Sequence, residues 1–394
     1  MKSIRQLITP QQKVFIKRAI HSIHRLAKNQ RKIQTKYEYE IIKEKSCDVF
    51  FGYYDVTPFN EQNIIYNVLA DDDNSIRIVL QSLEDKSKRI IGHSKAWNWQ
   101  QGTRLRWFSI NEVSFNDYKD GRYYNRIVNV NDLSERVVDW PLYDINYDRS
   151  LGLTLNFSRL GVLRPGYGYT CDKYEPRNLD KESIDIIDLK SNKIIKSITY
   201  VEIQKALNSV TSFENCYLNH LSFSPDGTKF LFFWIEIIGG YHKASLAVYD
   251  ISKSEIIPLE TCEKVSHYVW KDNDTILCTS YSTPSMCYYY LYKINKLKKV
   301  PFCPNSLDVD GHPSYYDDFT IITDTYPDKY GYQHLSFVNV RDDTKFPILD
   351  VYSIPVSNGE RRTDLHPRLD VEHHHVAVDV NLTGHRSILI VKNI

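Results

Sequence analysis

No stretch of this 394-residue chain approaches the roughly 20 apolar residues of a membrane-spanning helix. No uninterrupted apolar run of roughly 7–15 residues stands before Tyr37 either, so the N-terminus does not read as a secretory signal. Glycine is scarce, at 15 residues, and none of it builds a phosphate-binding motif. A P-loop, a Gly-x-Gly-x-x-Gly turn after a strand and a Gly-x-Ser-x-Gly elbow are all missing, which argues against kinases, dehydrogenases and hydrolases of those types. The seven cysteines are odd in number, scattered and without a Cys-x-x-Cys pair. They read as reduced residues of a cytoplasmic protein. A formal net charge of only +1 gives no field for nucleic acid, and no nucleic-acid partner is expected.

That near-neutrality hides an asymmetry. Residues 1–36 carry ten Lys or Arg and no acid, leaving 40 basic against 49 acidic groups in the remainder. Within the basic segment, Thr9 is placed to cap a helix with Pro10 at its first position. Phe15, Ile16, Ala19, Ile20, Ile23, Leu26 and Ala27 follow at helical spacing, with Lys13, Lys17, Arg18, Arg25, Lys28, Arg31 and Lys32 over much of the other face. Two readings stand: a peripheral contact of residues 9–36 with an anionic membrane surface or an acidic partner, or a helix packed on the body with a solvated basic face.

What the chain has in quantity is aromatic residues, 13% of the total with 29 tyrosines, which suits pleated, half-buried surfaces. From Phe50 onward, apolar β-rich runs such as Asn63-Ile-Ile-Tyr-Asn-Val-Leu and Leu151-Gly-Leu-Thr-Leu-Asn-Phe alternate with polar turns such as Asp71-Asp-Asp-Asn, Asp120-Gly and Asp148-Arg-Ser. Further helical periodicity is confined to a short piece near Val201–Val210. Four histidines recur at matching places: His220, His267, His312 and His366, each three residues before Phe223, Trp270, Tyr315 or Leu369. Their spacings of 47, 45 and 54 residues are close to the length of one four-stranded propeller blade. The same grammar places earlier blade starts at Tyr54, near Leu105 and at Tyr143, so the expected fold is all-β, a seven-bladed β-propeller preceded by a basic amphipathic helix. The 77 residues between Tyr143 and His220 require an insertion, expected as a loop over Arg159-Leu-Gly-Val-Leu-Arg-Pro-Gly-Tyr-Gly-Tyr and beyond. The last run, from Ser387, is expected to close the ring with the first strand. The expected division is residues 1–40 as a basic helical segment and 48–394 as the propeller.

Equivalent positions in successive blades converge on the axis, so the four histidines form a candidate divalent-metal site, with manganese or zinc as the expected ion. The plainer alternative is that each histidine only bonds a nearby aspartate of its own repeat, among Asp226, Asp272, Asp317 and Asp370. The run His373-His-His is not expected to bind metal, because strand alternation turns His374 away from its neighbours. A second constellation is cationic and phenolic: Arg159, Arg164, Tyr167 and Tyr169 in one loop, Tyr53, Tyr54 and Tyr143 near blade starts, and Arg361, Arg362 and Arg368 around the last histidine. Arg forks bind carboxylate or sulfate and tyrosines cover sugar faces, which fits an acidic glycan; packing between blades and surface ion pairing is the alternative for about half of these residues.

Several segments resemble a known group. Phe51-Gly-Tyr-Tyr-Asp-Val-Thr-Pro-Phe, Ala96-Trp-Asn-Trp-Gln-Gln-Gly, Leu155-Asn-Phe-Ser-Arg-Leu with Arg164-Pro-Gly-Tyr-Gly-Tyr, Asn219-His-Leu-Ser-Phe, Ser266-His-Tyr-Val-Trp, Asp310-Gly-His-Pro-Ser-Tyr, Asp324-Thr-Tyr-Pro-Asp and Asp364-Leu-His-Pro-Arg are similar to segments of bacterial seven-bladed propellers related to ulvan lyases and, more distantly, oligogalacturonate lyases. The resemblance covers about residues 48–394. It implies β-elimination on a uronate-containing polysaccharide, with Tyr143 and Arg159 as the catalytic tyrosine and carboxylate-neutralising arginine. It also implies that His220, His267, His312 and His366 hold the metal; the cationic and phenolic constellation supplies Tyr54, Arg164, Tyr167, Arg362 and Arg368 as the candidate substrate contacts. The chain departs from the ulvan lyases in its early blades, which offer only His93, with Asn98 and Gln100 in the Trp-rich segment. Many members of the wider group resemble cytoplasmic proteins of surface-polysaccharide assembly. The expectations are therefore a lyase-like enzyme, a noncatalytic glycan-binding or assembly protein of capsule or lipopolysaccharide synthesis at the inner membrane, or a metal-free protein scaffold.

Overall fold

The computed structural model describes residues 9–70, 74–283 and 286–394, so the expected turn at Asp71–Asp73 lies outside them. Seven antiparallel sheets form the blades of a β-propeller. Their first strands are Cys47–Phe50, Arg106–Ser109, Asp144–Ile145, Cys216–Phe223, Lys264–Asp272, Ser314–Asp317 and Arg368–Asp370. Leu105 and Tyr143 immediately precede the first strands of blades 2 and 3, and His220 and His267 lie within those of blades 4 and 5. His312 and His366 stand two residues before those of blades 6 and 7. The middle strands are buried on both sides because each blade packs between two others. Lys229–Ile238, Lys-Phe-Leu-Phe-Phe-Trp-Ile-Glu-Ile-Ile, is buried from Phe230 to Glu236 and reads as a continuous apolar run rather than an alternating one.

Blade 1 departs from the pattern where it matters. Its first strand, Cys47–Phe50, breaks off and resumes as Phe59–Asn60, both pieces pairing with Asn63–Ala70. The segment between them carries Tyr53 and Tyr54 to the axis, as the ring contacts below establish.

The ring closes, as expected, by pairing the last strand with one from the start of the chain, and it does so inside blade 7. The last strand, Arg386–Val391, is the third of blade 7, and the fourth is Tyr39–Ile42 from the start of the chain, pairing Ile42 with Ile388. Ile33–Gln34 adds a fifth strand to blade 6. The propeller therefore begins near residue 33, not 48, because blade 7 has only three strands of its own and needs a fourth to cover its outer edge.

Helix α1, Pro10–Lys28, has the expected N-terminus: Thr9 and Gln12 form a reciprocal capping box, and Asn29 closes the other end in the left-handed conformation. It packs on blade 6 through an unexpected face. His21 is buried, His24 stacks on Tyr330 with ring centroids 3.5 Å apart, Arg25 lies over the Tyr352 ring and Arg18 donates to the Pro355 carbonyl. The polar face is docked and the apolar face is in solvent.

The insertion falls between Leu151–Thr154 and Ser183–Asp188 of blade 3. It opens not as a loop but as helix α2, Phe157–Leu163, whose Asn156 cap accepts the Arg159 N–H. The following turn folds back so closely that a Cβ on Gly168 would lie 2.0 Å from the Gly161 nitrogen. Two glycines thus let Arg164–Tyr169 lie flat on α2. Helix α3, Tyr200–Ala206, matches the expected helical piece and carries its own capping box from Thr199 and Glu202. Cys47, Cys171, Cys216, Cys262, Cys278 and Cys303 form no disulfide with one another.

Candidate functional site

All four histidines reach one place, the Tyr53–Tyr54 pair at the axis. The Tyr53 ring lies 5.2 Å from His220 and 4.8 Å from His366; the Tyr54 ring lies 5.1 Å from His312 and 6.2 Å from His267. Within that ring His267, His312 and His366 touch in succession, with centroids 4.1 and 4.4 Å apart, while His220 sits aside against Phe233 and Tyr268. His220 and His366 adopt φ of +56° and +47°, a left-handed conformation that non-glycine residues seldom hold without support. In blades 4 and 5 the turn toward the axis coincides with a break in strand register, at Asn219/Ser222 and Val265/Tyr268.

Three of the imidazoles have their outer nitrogen fixed. Nδ1 of His267 donates to Asp310 at 2.9 Å, Nδ1 of His312 to Asp324 at 2.8 Å, and Nδ1 of His366 to the Gly52 carbonyl at 2.9 Å. That orientation leaves each Nε2 as the inward-facing nitrogen, the arrangement that presents imidazole to a metal. The expected partners Asp226, Asp272, Asp317 and Asp370 do not serve these rings: Asp226 bonds Ser224 and Thr228 of its own turn, and Asp370 bonds His373. Burial pushes the His220 and His366 imidazoles well below their ordinary value, with neighbouring histidines and arginines adding to it. Burial also lowers His267 despite Asp310. For His312 burial acts downward, but Asp324 outweighs it and the value is raised.

Among the described residues, the ligand atoms that gather within 4.8 Å of one another belong to His312, Asp364 and His366. Asp364 Oδ1 and His366 Nε2 are both buried with no hydrogen-bond partner, while Asp364 Oδ2 accepts from Arg362 at 2.8 Å. Two orphaned buried acceptors beside a third ligand fit a divalent cation, and mixed imidazole and carboxylate donors suit manganese or zinc. The group that meets this spacing is thus His312, Asp364 and His366; of the four expected histidines, His267 adjoins it through His312, and His220 contacts Tyr53, Phe233 and Tyr268 instead. Asp364 was legible as half of a repeated Asp-x-His, Asp310-Gly-His312 and Asp364-Leu-His366.

Beside this centre opens a cleft of about 400 Å³ lined by Arg164, Lys264, Arg362, Tyr167, Tyr326 and His242, with His220 and His267 at its floor. Arg164 lies over the Tyr167 ring and Arg362 over Tyr326, with Arg362 also donating to the Tyr167 hydroxyl. Asn98 holds the Tyr167 carbonyl and Gln100 holds those of Glu360 and Arg362, so the Trp-rich segment positions both walls. Burial lowers His242, with Arg164 and Lys264 adding to it, and its Nδ1 is 2.8 Å from the Tyr217 hydroxyl. Lys264 and His242 carried no sequence signal, because each stands in an ordinary strand pattern, whereas Tyr326 lies in the segment Asp324-Thr-Tyr-Pro-Asp that carried the resemblance without being singled out.

Of the expected substrate residues, Arg164, Tyr167 and Arg362 line the cleft, and Tyr54 and Arg368 do not. The Tyr54 hydroxyl donates to the Tyr268 carbonyl and accepts its N–H, locking the axis. Arg368 is buried, paired with Asp379 at 2.6 Å and donating to the Gly52 carbonyl. The expected catalytic pair, Tyr143 and Arg159, does not line the cleft, although Tyr143 bonds two residues that do, Asn219 and His220. Tyr143 is 0% exposed, and its hydroxyl donates to Asn219 while accepting from Gln101 and the His220 N–H. Arg159 is 2% exposed and spends its guanidinium on the Phe213 and Cys216 carbonyls and the Tyr174 hydroxyl. Both frame the site from behind. In the His373–His375 run, His374 turns to Tyr316 and His373 to Asp370.

Sequence comparison matches no family model and no curated protein. The fold is similar to that of an oligogalacturonate lyase in complex with manganese, with a TM-score of 0.65 at 14% identity over 92% of this chain and 94% of the other. It is likewise similar to an oligogalacturonate lyase from Vibrio parahaemolyticus, with a TM-score of 0.63 at 13% identity over 91% and 97%. The β-propeller domain of the Trilobed protease from Pyrococcus furiosus gives a TM-score of 0.52 at 11% identity over 92% and 95%. Lyase and protease propellers alike share this frame, so the likeness is one of architecture: the chain is a seven-bladed β-propeller.

Proposed function

We propose that this propeller binds an acidic, uronate-containing oligosaccharide or polysaccharide in the axial cleft and cleaves it by β-elimination, with a divalent cation held by His312, Asp364 and His366. The observation that carries the reading is one cavity ringed by three cations, Arg164, Lys264 and Arg362, between phenol rings and next to the orphaned donors. Guanidinium forks match carboxylate geometry, and tyrosine faces suit the apolar faces of sugars. The two oligogalacturonate lyases among the similar structures, one with manganese, support the same substrate class.

Elimination breaks a C–H bond beside the carboxylate and the C–O bond to the leaving sugar, and it forms a carbon–carbon double bond. A bound cation supplies charge neutralisation at the carboxylate. Arg164 and Arg362 orient that group and share the neutralisation. In this reading His242, neutral and with Nδ1–H donating to Tyr217, accepts the proton on Nε2; the leaving oxygen takes its proton from solvent. Activity should then rise with pH through the lowered His242 value and be level by neutrality.

One observation favours a second reading, a noncatalytic glycan-binding protein of surface-polysaccharide assembly in the cytoplasm: Tyr143 and Arg159, the residues that resemble the ulvan lyase pair, are fully occupied inside the frame. A single assay separates the two. Uronate oligosaccharides incubated with the metal-loaded protein should gain the absorbance of an unsaturated product, lost in His242→Asn and in Arg164→Ala. Calorimetric affinity without product leaves the binding protein; neither affinity nor product leaves a scaffold.

A further inference from the structure

Helix α1 displays the wrong face for a helix packed on a soluble body. At 3.6 residues per turn, Phe15, Leu26, Ala19, Ile23, Ile16, Ala27 and Ile20 fall in one arc of about 140°, interrupted only by Gln12. His21, Arg25 and Arg18, which hold the helix to blade 6, fall on the opposite side. The middle of the apolar arc therefore faces away from the propeller, leaving Leu26 82%, Phe15 75%, Ile23 67%, Ile20 52% and Ile16 43% exposed, while Phe15 and Ile20 at its two margins also wall cavities against the body. Both helix ends are capped, so this orientation belongs to a formed helix and not to a frayed segment.

We propose that this face inserts into the interfacial layer of an anionic lipid bilayer. Charge selects that occupant. Lys13, Lys17 and Lys28 border one edge of the arc, Arg31, Lys32 and Lys36 follow it, and no acid occurs between Thr9 and Tyr37. A second copy would bring the same unmatched cations against these, and five side chains of one helix fall short of the roughly 800 Å² per partner that a stable interface buries. An anionic bilayer receives both the apolar arc and its cationic border. Lys17, Ile20 and His21 also wall a cavity whose other side is Tyr326, Arg362 and Asp364, so docking would hold the axial site close to the lipid surface. The inference stands apart from the glycan reading, since the face that meets lipid and its cationic border belong to helix α1 and the residues that follow it, none of which lines the cleft.

The test is cosedimentation of the full chain with vesicles of phosphatidylcholine, alone or mixed with phosphatidylglycerol, alongside light scattering of the free protein. Wild type should sediment with the mixed vesicles and weakly with phosphatidylcholine, and salt should weaken the binding. Phe15→Asp combined with Leu26→Asp should lower partitioning about a hundredfold at unchanged circular dichroism. Lys13→Glu with Lys17→Glu and Lys28→Glu should abolish the preference for anionic lipid with the apolar arc intact. Wild type that stays in the supernatant, or sediments equally with both vesicles, overturns the proposal. So does a wild-type dimer that the aspartate variant makes monomeric, which would assign the face to a second copy.

Discussion

Asp364 and His366 each keep one polar atom buried without a partner, a cost of about 1–3 kcal/mol per group unless something binds there. Cation binding removes that cost, so purified protein should carry about one divalent ion per chain by elemental analysis. Asp364→Asn and His366→Ala should lose the ion, whereas His220→Ala, outside the triad, should keep it; loss in His220→Ala instead would restore the four-histidine site. Asp324→Asn frees the ring of His312 and should weaken metal affinity about 10–100-fold. Tyr143 illustrates the opposite case. Its hydroxyl satisfies three buried groups, so Tyr143→Phe should lower unfolding free energy by about 1–3 kcal/mol in denaturant titration. Turnover per folded molecule should hold; its loss at normal stability would return Tyr143 to the chemistry.

At the scale of elements, the loop Arg164–Tyr169 depends on two glycines for its contact with α2. Gly168→Ala puts a methyl against the Gly161 nitrogen and the Phe157 carbonyl, and neither backbone can withdraw while α2 keeps its turns. The loop should lift, carrying Arg164 and Tyr167 with it, and glycan affinity by calorimetry should fall more than thermal stability. The N-terminal elements divide in the same way. Removing residues 1–30 deletes α1 and should leave the melting temperature close to wild type. Extending the deletion through residue 44 removes Tyr39–Ile42, which covers Ile388 and Leu389 of blade 7, and should lower it sharply or prevent folding.

For the whole molecule, the pH dependence follows from the axial cluster. His220, His267 and His366 are neutral in the fold, with values below the free imidazole value of 6.5. On unfolding below about pH 6.5 each takes up a proton, so the unfolded state binds more protons and stability falls as pH drops. His312, raised by Asp324, acts in the other direction, adding stability below about pH 6.5 that is lost as pH climbs through its raised value. Three groups oppose one. Metal-free protein should therefore melt at lower temperature at pH 5 than at pH 7, and a flat or inverted profile in differential scanning calorimetry would overturn that balance.

Blade count, blade starts and the convergence of four histidines were legible in the chain because they are properties of period: a repeated spacing imposes equivalent positions, and equivalence imposes a ring. The Thr9 cap and Pro10 start of α1 were legible as a local signal, although the reciprocal bond from Gln12 was not read. What the spacing left open was contact. Which nitrogen of a histidine faces inward depends on Asp310, Asp324 and Gly52, two of them supplied by other segments of the chain, and Asp364 reaches His312 only across a blade boundary. Tyr143 and Arg159 have the right residue types sixteen positions apart, yet burial gives the Tyr143 hydroxyl to the Asn219 and Gln101 side chains and the His220 N–H, and the Arg159 guanidinium to two backbone carbonyls and the Tyr174 hydroxyl. In α1, periodicity located an apolar stripe but not its direction; the stacking of His24 on Tyr330 and Arg25 on Tyr352 turned it outward. Local pattern sets which elements form and how they repeat, while packing between distant segments sets which atoms are left free to act.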